Sequence, residues 1–78
     1  MVLDIHLFAT LRRYFPEAPG GVLAVEVAEA TTIEELIDKL NISPEEIKII
    51  MVNGVQAQSG QVLKDGDRIG LFPPVGGG

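Results

Sequence analysis

The chain contains no cysteine. That absence excludes a disulfide framework, thiolate metal sites, and any cysteine nucleophile or side-chain persulfide. Histidine occurs once, as His6, which is too few for a histidine zinc site. Basic residues are scarce: six Lys and Arg face eleven Asp and Glu, for a net charge of −5. A nucleic-acid backbone or an anionic membrane surface selects the opposite sign, so neither is an expected partner. No apolar run approaches the ~18 residues of a membrane span. Asp4 stands where a signal peptide would carry positive charge. The expectation is a cytoplasmic chain without a targeting segment.

What is present suits a folded domain. Of 78 residues, 46% are hydrophobic and 22% charged, enough apolar content for a core and too little charge for disorder. The length allows one small domain, which buries only about 60% of the surface its unfolded chain exposes.

Val2 to Phe8 alternates, with Leu3, Ile5 and Leu7 on one side and Asp4, His6 and Phe8 on the other. A period of two predicts a half-buried strand and puts His6 on its outward face. Ala9 to Phe15 loses the alternation and suits a helical turn, and Pro16, Pro19, Gly20 and Gly21 then force a loop. Val22 to Val27 alternates again, so the first two strands read as an antiparallel pair. Thr32-Ile33-Glu34-Glu35 is a capping box, and Ile33, Leu36, Ile37 and Leu40 form one apolar helical stripe. Acids in the first turn and Lys39 near the end agree with the helix dipole, and Asn41 marks the stop. Ser43-Pro44-Glu45-Glu46 opens one further short turn.

Ile47 to Val52 reads as a central strand with both faces partly covered, and Asn53-Gly54 is a hairpin signal. Val55 to Val62 is irregular, with room for a short edge strand. Asp65-Gly66-Asp67 resembles the opening of a calcium loop but lacks the later ligands, so it reads as a hairpin turn. Arg68 to Phe72 is the last strand, with Ile69 and Leu71 inward and Arg68, Gly70 and Phe72 outward. Arg12, Arg13 and Arg68 read as solvated charges with some capacity to meet acids on a partner. The order strand, strand, helix, strand, short strand, strand predicts an α+β ubiquitin-like β-grasp: a mixed sheet of four to five strands packed on one main helix. The domain covers residues 1–72, and residues 73–78 form an extended tail.

That tail, Pro73-Pro74-Val75-Gly76-Gly77-Gly78, carries the chemistry. Two prolines hold the chain extended, and three glycines make the narrowest peptide that can enter another protein's active site. At about 3.3 Å per residue, the six residues after Phe72 reach roughly 20 Å. A carboxylate is a poor electrophile, but ATP can activate it as an acyl-adenylate; sulfide then gives a thiocarboxylate, and an amine gives an amide. Terminal glycines on an arbitrary small domain are usually a frayed end. Here the preceding Phe-Pro-Pro-Val and the strand order argue otherwise.

In these segments the chain resembles the sulfur-carrying small subunits of molybdopterin synthase. The segments are Leu7-Phe8-Ala9-Thr10-Leu11-Arg12, Thr32-Ile33-Glu34-Glu35-Leu36, Asn53-Gly54, Leu63-Lys64-Asp65-Gly66-Asp67 and, most specifically, Phe72-Pro73-Pro74-Val75-Gly76-Gly77-Gly78. Two positions depart from the pattern: Gly76, where many members carry alanine or serine, and Gln56, which is polar where partner-facing apolar residues can occur.

The resemblance implies that an E1-like adenylyltransferase adenylates Gly78 with ATP and that a sulfurtransferase system converts it to a thiocarboxylate. Gly76, Gly77 and Gly78 thread into partner active sites, and the large subunit of molybdopterin synthase receives the sulfur. Phe8, Phe72, Pro73, Pro74 and Val75 form the docking region. The chain itself binds no cofactor or metal and contributes no catalytic side chain. Three alternatives stand beside this one: a sulfur carrier for thiamine-thiazole synthesis, a ubiquitin-like protein modifier, and a non-covalent β-grasp binding module.

Overall fold

A computed structural model describes residues 1–58 and 60–74. The expectations for Val75, Gly76, Gly77 and Gly78 lie outside the described residues. The elements are β1 (Val2–Leu7), β2 (Val22–Glu26), α1 (Ile33–Lys39), β3 (Ile49–Val52), β4 (Val55–Gln56) and β5 (Arg68–Phe72). Short 3-10 turns fill Ala9–Tyr14, Pro19–Gly21 and Pro44–Glu46. The five strands form one mixed sheet in the order β2-β1-β5-β3-β4, which is the β-grasp architecture.

The alternation of β1 is realised without exception. Leu3, Ile5 and Leu7 are buried, whereas Asp4 and His6 are half-buried on the other face. β1 runs antiparallel to β2 and parallel to β5. A parallel pair needs a crossover, because a tight hairpin can only join antiparallel strands. Here the intervening chain includes α1, whose stripe Ile33, Leu36, Ile37 and Leu40 joins Leu3, Ile5, Leu7, Ile69 and Leu71 in one core cluster. Among the described residues, no polar or charged residue is buried in it.

Both ends of α1 are closed as the sequence specifies. The Glu35 N–H donates to Thr32 Oγ1 and the Thr32 N–H to Glu35 Oε1, completing the capping box. At the other end Asn41 takes φ +58°. Its N–H donates to the Asp38 carbonyl and that of Ile42 to the Ile37 carbonyl, the hydrogen-bond pair of a Schellman termination.

Three expectations are adjusted. The strand expected from Ile47 begins at Ile49, because Ile47 closes the preceding 3-10 turn, although the Lys48 N–H still reaches the Phe72 carbonyl at 2.7 Å. That strand is less central than its apolar content suggests: β4 pairs only with Met51 and Val52, leaving Ile49 exposed. The turn at Asp65-Gly66 joins no hairpin, since Val62 bridges Thr32 whereas β5 pairs with β1 and β3. Its acids instead hold backbone: Asp65 Oδ1 accepts from the Val2 N–H and Asp67 Oδ2 from the Lys64 N–H. Asn53 and Gly54 both take positive φ, as a type I′ hairpin requires.

The loop before β2 depends on a glycine for space. A Cβ on Gly21 would lie 2.5 Å from the Leu7 carbonyl oxygen and 2.9 Å from Arg12 Cγ, at φ +76°. Gly20 also has positive φ, but open space surrounds it. Gly20→Ala should therefore cost about 1–2 kcal/mol of backbone strain. Gly21→Ala should lose about 1–3 kcal/mol more, because the clash includes main chain. Urea unfolding of the two variants checks the difference, and equal losses would contradict the packing account.

Candidate functional site

The sheet face opposite α1 carries the residues that the alternation sends outward. Phe8 lies one residue past β1 but keeps extended backbone angles, and its N–H donates to the Leu71 carbonyl at 3.2 Å. The parallel register pairs His6 with Gly70 and Leu7 with Leu71. Continued by one residue, it brings Phe8 beside Phe72. The two rings stack with centroids 4.2 Å apart and planes 7° from parallel. Such a pair contributes about 0.5–1.5 kcal/mol beyond the area it buries.

Gly70 lies beneath these rings. A Cβ there would approach Phe72 Cε1 to 3.3 Å, Phe8 Cε2 to 3.5 Å and Met51 Cβ to 3.7 Å. Its missing side chain lets both rings settle over the sheet. The surrounding hollow, about 190 Å³, is lined by His6, Phe8, Met51, Gly54, Arg68 and Phe72 around Gly70. Small-molecule pockets are typically about 300–1,000 Å³ and enclosed. This one is smaller and open, which suits an apolar docking patch.

Polar groups rim the patch. His6 is 24% exposed and its Nε2 hydrogen-bonds Asp4 Oδ2 at 2.9 Å. The Arg68 N–H donates to Asn53 Oδ1, and Asn53 Nδ2 donates to Asp67 Oδ1. These bonds hold the β3–β4 turn against the start of β5. Phe72 ends β5, and Pro73, half-buried, and Pro74, exposed, follow directly. The patch is thus continuous in sequence with the tail.

Phe8 and Phe72, which the alternation sends outward, are brought into direct contact. His6 is more enclosed than a plain surface residue. Arg12 is structural, with its Nε donating to the Leu7 carbonyl. Arg13 pairs with Glu46, which also accepts from the Tyr14 hydroxyl. Met51 and the supporting role of Gly70 were not singled out. A glycine inside an otherwise apolar strand was the available signal, since it marks a place where another group approaches closely. Among the described residues, no group of three or more His, Asp or Glu side chains is placed to hold a metal. No described helix is long and apolar enough to cross a membrane.

Comparison with known proteins agrees with this architecture. The ThiS family profile matches residues 5–78. A protein designated molybdopterin converting factor subunit 1 from Pyrococcus furiosus is 26% identical, with 96% of this chain and 99% of that one covered and a TM-score of 0.75. The Haloferax volcanii structure of SAMP1 is 24% identical over 100% of both chains, with a TM-score of 0.75. A ubiquitin-like protein from Caldiarchaeum subterraneum is 17% identical over 99% of this chain and 100% of that one, at a TM-score of 0.55. These last two likenesses are of fold. No curated protein sequence matches the chain significantly.

Adding bulk beneath the rings tests the patch geometry. Gly70→Val should unstack Phe8 and Phe72 and erase the ring-current shifts they impose on each other. Overpacking should cost about 1–3 kcal/mol. Aromatic proton shifts together with a denaturation curve check both effects; an unchanged aromatic spectrum would show that the rings do not rest on Gly70.

Proposed function

The chain belongs to the ThiS family, and on that premise we propose that it is a ubiquitin-like sulfur carrier whose terminal Gly78 becomes a thiocarboxylate for molybdopterin synthesis. The observation that carries the reading is the stacked Phe8–Phe72 pair at the root of the Pro-Pro-Val-Gly-Gly-Gly tail. An apolar anchor and a slender reactive end adjoin in one chain. The choice of molybdopterin rests on the tail sequence and on the resemblance to the Pyrococcus furiosus protein.

In this reading the Gly78 carboxylate attacks the α-phosphorus of ATP on an E1-like adenylyltransferase, releasing pyrophosphate and leaving an acyl-adenylate. The terminal sulfur of a sulfurtransferase persulfide displaces AMP to give an acyl disulfide, the C–S bond forming as the C–O bond to phosphate breaks. A thiol reductant then cleaves the S–S bond to leave the thiocarboxylate. The loaded carrier then docks on the large subunit of a molybdopterin synthase. ATP belongs to the activating partner; this chain supplies no acid, base or metal to the reaction. Its own work is to present the tail. Phe8 and Phe72 anchor the partner, Pro73 and Pro74 direct the chain away from the sheet, and Gly76, Gly77 and Gly78 pass where side chains would not. The net charge of −5 favours partners with basic docking surfaces and raises encounter rates with them.

Incubation with ATP, an E1-like enzyme and a sulfur source should replace one oxygen by sulfur at Gly78, visible by intact-mass measurement with fragmentation. One residue appended after Gly78 should abolish loading. If the extended chain remains fully active, the carboxylate is not the working group. Attachment to lysines of other proteins, in place of thiocarboxylate, would favour the modifier reading. Phe72→Ala should weaken partner binding by about 2 kcal/mol or more, the loss typical of a central aromatic anchor. Calorimetric titration with the large subunit measures it.

A further inference from the structure

The outer edge of β2 has the pattern of a strand made to pair with itself. Met1 and Val27 exchange backbone hydrogen bonds at 2.9 and 2.8 Å. By the alternation of an antiparallel ladder, Val25 and Leu23 then bond to β1, while the N–H and C=O groups of Ala24 and Glu26 point away from the sheet. The Val22 N–H is already bonded to the Pro19 carbonyl. Among the described residues, the outward N–H groups of Ala24 and Glu26 have no partner. The usual protections of an exposed edge are a lysine, a proline or a bulge. β2, Val-Leu-Ala-Val-Glu, has none of these and carries charge only at Glu26.

We infer that β2 is a homodimerisation edge, pairing antiparallel with β2 of a second copy about a two-fold axis at Ala24. The two Ala24 residues exchange a reciprocal pair of backbone hydrogen bonds, and each Glu26 N–H reaches the Val22 carbonyl of the other copy. The already occupied Val22 N–H is the one donor this register leaves without an inter-chain role. Side chains agree with the backbone. Ala24 is exposed and small, so nothing crowds the axis. Glu26 lands opposite Val22, so no acid faces an acid across the seam. On the core side, Leu23 and Val25 are each only half-buried and pack against the core margin; each would be covered by its counterpart, Leu23 against Val25 of the second copy.

A foreign strand could use the same edge, but nothing on it selects one, whereas its own sequence is complementary to itself in donors, bulk and charge. The result is a continuous ten-stranded sheet. The stacked patch lies over β1 and β5, away from the seam, and stays open to partners. The two β5 strands stand about five strand spacings apart, roughly 24 Å, and run in opposite directions, so the tails leave from opposite ends. One strand edge buries less than the ~1,200 Å² of a standard interface. The dimer is therefore weak, with Kd on the order of 100 μM to 1 mM.

Sedimentation equilibrium and amide NMR on the full chain, from about 20 μM to about 1 mM, test this. The average mass should rise from that of one copy toward that of two, with the Ala24 and Glu26 amides showing the largest concentration-dependent shifts. Added salt should strengthen association, because it screens two like-charged copies. Ala24→Pro removes an outward N–H and no ladder bond; Ala24→Asp sets two carboxylates face to face at the axis. Both should be monomeric throughout, and the aspartate variant keeps the test decisive if the proline variant does not fold. A mass independent of concentration, folded variants that associate like the parent chain, or shifts centred on Phe8, Met51 and Phe72 would each overturn the proposal.

Discussion

The parallel pairing of β1 with β5 joins the two ends of the domain, and most of what the molecule presents follows from it. Asp4 to Leu7 register against Arg68 to Leu71, sixty-four residues apart along the chain in every pair. Closing so long a loop is entropically costly, and the core beneath the sheet offsets that cost through Leu3, Ile5, Leu7, Ile69 and Leu71 against the α1 stripe. The same register brings Phe8 to Phe72. The aromatic patch and the packing of the core are two faces of one strand pair, so a change that slips β5 by a residue would lose both.

Position also matters for the tail. β5 is flanked by β1 on one side and β3 on the other, and its last residue still accepts a hydrogen bond from Lys48. The chain therefore leaves the sheet from a point held on both sides. In the proposed function, a fixed departure point next to an apolar anchor couples where a partner would grip to where the tail begins. On the proposed reading, this ties the β-grasp scaffold to a role in group transfer.

Much of this was legible in the residues. The capping box at Thr32 and the stop at Asn41 are local chemistry, and both were realised atom for atom. The period-two pattern of Val2 to Phe8 assigned inward and outward faces correctly because one face must be buried. What was not legible depended on distant parts of the chain. Nothing near Ile47 shows that β4 will be only two residues long, so the exposure of Ile49 could not be read locally. The carboxylates of Asp65 and Asp67 looked like a turn and a failed metal loop; that they secure Val2 and Lys64 depends on a fold assembled elsewhere. Stacking of Phe8 on Phe72 needed a strand register, and the space for it came from a glycine whose significance is its emptiness.

Among the described residues, the interior buries no polar or charged side chain. An apolar core is specified by volume and pattern rather than by matched hydrogen-bond partners, and it accepts volume-conserving exchanges at small cost. Lineages can therefore rewrite such an interior one hydrophobic residue at a time without passing through an unfolded intermediate. A TM-score of 0.75 at 26% identity is the kind of divergence this permits. The scaffold is evolutionarily fluid inside, and the history of its function would be written in the few surface positions where one aromatic must meet another.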